Sequence, residues 1–253
     1  MRRIVAAGPV AKPDRGWARR TAAQGLRAPL PARRAALFIV LVAVLWAGQA
    51  RAQALETFGG HARATEDVMF FTFFKKPAPA GEAPVRSDVL FFFRARASVD
   101  YAMTDTSNLP QFGLTSAVSY NPRSWKGLAP VFVVQVLNRG VFAKAGVQFA
   151  RTGRRATVFS WLVCETDRQP VVDVFILGRY VHPLNGAIGL FLQGESVNAF
   201  PTAAADQYSF TQRVRVGVQV YRFQFGPGVD VTHIGRATYT TTTNIGAFVR
   251  YEF

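Results

Sequence analysis

Residues 213–223 read RVRVGVQVYRF, and their spacing decides the fold class. Val214, Val216, Val218 and Val220 fall on one face of an extended chain. Arg213, Arg215, Gly217 and Gln219 fall on the other. A period of two is the mark of a β-strand with one apolar and one polar side, since successive side chains point to opposite faces. No helix places four consecutive valines on a common face at this spacing.

The same period recurs outward from this stretch. In residues 89–101, VLFFFRARASVDY, Val89, Phe91, Phe93, Ala95, Ala97, Val99 and Tyr101 oppose Arg94, Arg96, Ser98 and Asp100. In residues 141–149, Val141, Ala143, Ala145, Val147 and Phe149 oppose Lys144, Gly146 and Gln148. Ile188, Leu190 and Leu192 oppose Gln193 and Glu195, and Phe223, Phe225, Val229 and Val231 oppose Gln224, Gly226, Gly228 and Asp230. Four further segments, starting at Asp67, Ala129, Ala156 and Pro170, are apolar on both faces and read as strands from their β-branched and aromatic content. Residues 109–121 and the last stretch, 243–253, complete eleven candidate strands. Between them lie turn segments rich in Gly, Pro, Asn and Asp, among them TDTSN, HPLNG and GRATYTTTT. These connections are too short for helical crossovers, so the pairing is antiparallel and up-and-down.

Composition narrows the function classes. The chain has 253 residues, 49% of them hydrophobic, with 22 Phe. Its formal charge of +15 is unevenly spread: residues 1–52 hold ten Lys or Arg and one Asp. With no basic stripe interleaved with stacking aromatics and no zinc spacing, nucleic acid is not an expected partner. Cys164 is the single cysteine, which excludes an intramolecular disulfide and a Cys-rich metal site. No cofactor is implied.

Residues 33–54 have the three parts of a secretory signal. Arg33 and Arg34 precede an apolar run from Ala35 to Ala47, and Ala50-Arg51-Ala52 follows as a small-x-small cleavage pattern. The run is shorter than the roughly 20 residues a transmembrane helix needs. The expected organisation is a cleaved N-terminal extension and signal peptide over 1–52, cut after Ala52 with Ala54 as second choice, and a β-barrel over 53–253.

Strand alternation alone fits a soluble secreted or periplasmic barrel that binds an apolar ligand. Three features favour a membrane barrel. Segments of about ten residues recur, the length that crosses a bilayer when tilted. Aromatic residues sit at segment ends (Tyr101, Tyr120, Phe149, Tyr180, Phe200, Tyr208, Tyr221, Tyr251), where interfacial girdles form. Closure satisfies every backbone group, as hydrocarbon requires. The last ten residues, NIGAFVRYEF, set Ile245, Ala247, Val249, Tyr251 and Phe253 against Asn244, Gly246, Phe248, Arg250 and Glu252. This ending resembles the C-terminal assembly signal of bacterial outer-membrane β-barrel proteins. The resemblance implies that Tyr251 and Phe253 are read by the outer-membrane assembly machinery and that the last strand closes the barrel against the first.

The expectation is an all-β, transmembrane, antiparallel up-and-down barrel in the outer membrane. Bacterial single-chain barrels have even strand numbers, so eleven segments resolve to ten or twelve strands. The lumen-facing set is Arg94, Arg96, Asp100, Lys144, Gln148, Asp173, Arg179, Glu195, Arg213, Arg215, Gln219, Asp230, Arg250 and Glu252. These residues fill a narrow lumen or bias a pore towards small polar or anionic solutes. A small porin-like channel or a structural membrane protein in contact with membrane lipid is the leading function. An envelope lipid hydrolase or acyltransferase is the alternative. It is weakened because His233 and Asp230, three apart on a strand, face opposite sides, which leaves His233 an unpaired surface residue. His61 reads as part of a segment preceding the barrel and His182 as part of a turn.

Overall fold

The computed structural model describes residues 52–76, 85–101, 111–153, 155–167 and 169–253. The expected signal peptide therefore lies outside the described residues, except for Ala52, and so does the TDTSN turn.

Twelve strands follow one another along the chain: β1 (Ala52–Gly60), β2 (Arg63–Lys76), β3 (Val85–Asp100), β4 (Gln111–Tyr120), β5 (Leu128–Leu137), β6 (Gly140–Thr152), β7 (Ala156–Glu165), β8 (Val171–Pro183), β9 (Ile188–Pro201), β10 (Tyr208–Val220), β11 (Phe223–Gly235) and β12 (Tyr239–Glu252). Each pairs antiparallel with its sequence neighbours, and β12 pairs with β1 to close the ring. Closure removes both sheet edges, so the ladders take up the strand N–H and C=O groups. A short 3₁₀ turn over Arg123–Trp125 joins β4 to β5.

The count is twelve, and two sequence readings are corrected. The unrecognised strand is AQALETFGG, residues 52–60, which carries the closing ladder from Ala54–Glu252 to Gly60–Gly246. His61 consequently sits in the β1–β2 turn, where its Nδ1 lies 3.0 Å from the Ile245 amide nitrogen. The threonines Thr240–Thr243 belong to β12 and pair with β11, so the turn there is confined to residues 236–238.

Facing follows the period of two. Val214, Val216 and Val218 are 45%, 41% and 38% exposed, while Arg215 between them is 2% exposed. Lys144 is 1% exposed, with the exposed Val141 and Val147 on the opposite set. On these strands the valines thus turn out and the charges turn in, the reverse of a water-soluble barrel.

Alternate turns define two rims. At the rim that holds Phe253, exposed aromatics are Tyr120, Trp125, Tyr180, Tyr221 and Phe223. At the opposite rim they are Tyr101, Phe112, Phe200 and Tyr239. An apolar wall between two aromatic girdles is what a bilayer selects, because the rings are favoured at the headgroup level.

The interior is not polar throughout. Phe71, Phe92, Phe159, Trp161, Phe175 and Leu177 form a buried cluster with Val131, Val133 and Val163, drawn from strands between β2 and β8. Phe92 stacks on Phe159 (centroids 5.0 Å apart, 20° between planes) and meets Trp161 edge-on at 5.4 Å. A second, smaller group joins Phe58, Phe191 and Phe248. This explains why several strands read as apolar on both faces: one face meets the outside and the other meets an aromatic core. Phe248 on the polar-facing set is part of that core.

Backbones approach closely at several glycines of the inner wall, among them Gly146 against β7, Gly246 against β1 and Gly217 against β11. Gly217 of β10 opposes Gly226 of β11, and a Cβ on Gly217 would stand 2.2 Å from the Phe225 carbonyl oxygen. The ladder skips residues 216 and 217 there, opposite Gly226 and Pro227, which has no N–H to donate.

Candidate functional site: an ion-pair lattice across the barrel

Eleven inward side chains form one connected lattice. It comprises Arg94, Arg96, Arg179, Arg213, Arg215 and Arg250 with Glu56, Asp67, Glu195, Asp230 and Glu252.

Register places some of these contacts directly. Asp67 lies opposite Arg96 on the β2–β3 ladder, and Arg96 Nη2 donates to Asp67 Oδ2 at 2.5 Å. Arg94 donates to the same carboxylate from Nε at 3.0 Å and Nη2 at 2.5 Å, the paired geometry a guanidinium offers. Arg213 lies opposite both Glu195 on β9 and Asp230 on β11, and hydrogen-bonds Glu195. Arg250 lies opposite Glu56, 3.7 Å away, and donates to Gln193 Oε1 at 2.5 Å.

Other contacts cross the barrel. Arg94 Nη2 lies 2.7 Å from Glu195 Oε2, and β3 and β9 are six strands apart in either direction around the ring. Opposite walls therefore touch at this level. Arg215 spans three strands to Glu56 (3.1 Å) while also donating to Asp230 (2.7 Å), with its guanidinium 3.8 Å from the Phe58 ring. Arg179 reaches Glu252 four strands away. Buried charges hold only if they are paired and hydrogen-bonded, and each of these arginines has a carboxylate within salt-bridge distance.

A separate triad lies on β6–β8. Lys144 is 3.2 Å from Glu165 Oε1 and hydrogen-bonds Asp173. Gln148 is buried farther along the same face of β6 and donates to the Ser119 hydroxyl. Gln219 accepts from Gln224 Nε2 at 3.0 Å and donates to the Tyr221 carbonyl. Asp100 stands at the end of β3, paired in register with Arg63. Of the sequence candidates, Arg94, Arg96, Arg179, Glu195, Arg213, Arg215, Asp230, Arg250 and Glu252 thus meet in the lattice, Lys144 and Asp173 meet in the triad, Gln148 and Gln219 make the separate hydrogen bonds just described, and Asp100 stands at the rim end of β3. Tyr251 packs on Phe223 at 4.8 Å and edge-on against Phe253 at 5.0 Å.

Sequence reasoning missed Glu56, Asp67 and Glu165 as lattice or triad members; it placed Gln193 and Gln224 on polar strand faces but outside the lumen-facing set, and both are buried. Glu56 lies on the unrecognised first strand. Asp67 carried a usable signal, as a carboxylate at the start of an aromatic strand. The reading of His233 is also corrected. Its Nδ1 lies 2.8 Å from the Thr241 hydroxyl on the neighbouring strand, while Asp230 faces Arg215 inside. His182 Nδ1 lies 3.4 Å from the Tyr180 hydroxyl. Among the described residues no group of three or more His, Cys, Asp or Glu is placed to hold a metal ion.

No protein-family model matches the chain, and no curated protein matches it. The likeness among solved structures is to porins. A KdgM porin aligns at 12% identity and a TM-score of 0.42, covering 80% of this chain and 99% of that one. A NanC porin aligns at 7% identity and 0.41, with coverages of 80% and 99%. An outer-membrane channel from Pseudomonas putida F1 aligns at 9% identity and 0.39, covering 81% and 96%. The strand order and register above, rather than these likenesses, define the fold.

Proposed function

We propose that the chain is a bacterial outer-membrane β-barrel that acts as a narrow, porin-like channel for small solutes with a preference for anions. The observation that carries the membrane half is the inversion of faces: valines exposed on the wall, arginines buried within it. A lipid-facing Arg costs about 2–4 kcal/mol at the bilayer midplane, so inward placement of the arginines fits hydrocarbon outside.

The anion preference is argued from position rather than from total charge. The lattice holds six arginines against five carboxylates, and the triad one lysine against two, so the interior is balanced. Among the described residues, the mouth at the Phe253 rim carries an excess of basic side chains over Asp88. Arg86 lies over the inward Phe73 ring at 3.3 Å, with exposed Lys75 opposite it in register. A solute entering there meets cations first, and rings of basic side chains favour anions.

A second reading is a sealed, structural membrane barrel, and the Arg94–Glu195 contact between opposite walls favours it. Planar-bilayer recording separates the two. The channel reading expects small, regular conductance steps and an anion-selective reversal potential in a salt gradient. Replacing Arg213 and Arg215 with Ala removes two cations from the lattice and is expected to move that potential towards cation selectivity. Arg96→Gln, a milder change at a partly exposed position, is expected to move it the same way. An absence of conductance in folded, inserted protein would leave the sealed reading.

In this account β12 closes the barrel and carries Tyr251 and Phe253 outward, as residues for the assembly machinery to engage. Cleavage after Ala52 leaves nearly all of β1, whereas cleavage after Ala54 removes its first three residues, including Ala54, which pairs with Glu252.

A further inference from the structure

The two rims differ in charge. At the Phe253 rim, Lys76, Arg123, Lys126, Arg151, Arg155 and Arg222 are all exposed. Among the described residues of these rim segments, Asp88 is the acidic side chain apart from Glu252, which the lattice holds. At the opposite rim, among the described residues, Arg63, Arg139 and Arg236 are matched in number by Asp100, Asp167 and Asp206.

The basic residues sit at a definite level. Trp125, between Arg123 and Lys126 on either side, is exposed and meets Tyr120 edge-on at 5.9 Å. Arg151 comes two residues after Phe149 on the outward set of β6. The Ala150 amide donates to the Gly127 carbonyl at 2.9 Å, which sets Lys126 and Arg151 on neighbouring backbone. Two turn residues of this rim, Lys126 and Tyr221, hold a left-handed φ of 53°. Such positions favour Gly or Asn, and a long side chain there carries backbone strain. Here the strained positions hold a lysine beside a tryptophan and a tyrosine beside Arg222.

We infer that this rim is a binding surface for anionic phospholipid, engaging the phosphodiester headgroups of the leaflet that surrounds it. The inference rests on the membrane reading above. Basic side chains next to interfacial aromatics lie at headgroup depth, where Lys and Arg attract anionic lipid and Trp and Tyr anchor at the acyl boundary. Arginines deliver paired hydrogen bonds to phosphate oxygens, which a zwitterionic surface does not reward with net charge. A soluble polyanion offers the same phosphate chemistry without the acyl chains, and the outward setting of Arg151 and Trp125 favours the lipid.

The test is native mass spectrometry of the full chain, folded in neutral detergent and titrated with phosphatidylglycerol or phosphatidylcholine. Wild type is expected to retain phosphatidylglycerol preferentially, with the preference weakened by salt. The triple variant Arg123→Gln, Lys126→Gln, Arg151→Gln is expected to lose about 100-fold in that preference, roughly fivefold per charge. Arg139→Gln with Arg236→Gln at the opposite rim is expected to leave it unchanged. Equal retention of both lipids by wild type, an equal loss in the opposite-rim variant, or tighter binding of soluble polyphosphate than of phosphatidylglycerol would overturn the inference with the membrane reading intact. A chain that retains neither lipid and needs no detergent would overturn the membrane reading itself.

Discussion

Replacing Glu195 with Ala is expected to destabilise the folded barrel by about 3–5 kcal/mol, the cost of removing one member of a buried ion pair. Its carboxylate is buried and serves Arg94 at 2.7 Å, Arg213 through a hydrogen bond, and Arg96 at 3.9 Å. Without it, Arg213 keeps only a 3.6 Å approach to Asp230, and Arg94 keeps Asp67 alone. The tie between opposite walls is lost as well. Urea unfolding in micelles, followed by tryptophan fluorescence through Trp161 in the adjoining aromatic core, reads the change. Glu195→Gln retains an acceptor without the charge and is expected to fall between wild type and Glu195→Ala. A loss under about 1 kcal/mol for Glu195→Ala would mean that the lattice does not hold the walls together, since exposed pairs contribute about that much.

Val216→Arg is expected to cost about 2–4 kcal/mol and to block assembly, by placing a guanidinium in hydrocarbon on the middle of the wall. The folded barrel is expected to resist detergent at room temperature and to shift in gel mobility only after boiling, and Val216→Arg is expected to lose that heat-modifiable form. Thr241→Arg, outward but at the far rim, is the matched control, because the same residue near the interface costs about 0–1 kcal/mol. Unchanged folding in both variants would remove the argument for lipid at Val216. Equal damage from both would show that the effect comes from arginine itself rather than from depth.

The legible part of this fold was the part with contrast. β3, β6, β9, β10 and β11 alternate apolar with polar residues, so period and facing could be read together, while boundaries shifted: residues 213–223 run across the β10–β11 turn, and β10 itself is Tyr208–Val220. β1 gave no such contrast: Leu55, Thr57 and Gly59 oppose Ala54, Glu56 and Phe58, and one face is hardly more polar than the other. The first half of β12 failed for a related reason, with threonines on both faces beyond the apolar band. The aromatic core blurred β2, β7 and β8, where Phe71, Phe159 and Phe175 point inward beside outward apolar neighbours.

The lattice was legible as a set of faces and not as a set of contacts. Period two puts Arg94 and Glu195 on the inner side, but it does not say that they meet. Arg213 with Glu195 follows from adjacent register once the turn between β9 and β10 is known. Arg94 with Glu195, Arg215 with Glu56 and Arg179 with Glu252 depend on strand number and stagger around the closed ring. Those quantities changed when β1 was added, which also supplied Glu56.

The central claim is that lipid lies against the valine face, and collision measurements on single spin labels test it most directly. In a Cys164→Ser background, labels at 214, 216 and 218 are compared with labels at the inward positions 211 and 219 in lipid vesicles. The account predicts frequent collision with lipid-dissolved oxygen at the three valine positions and infrequent collision at the two inward ones. Oxygen access that fails to alternate, or that favours 211 and 219, would contradict it.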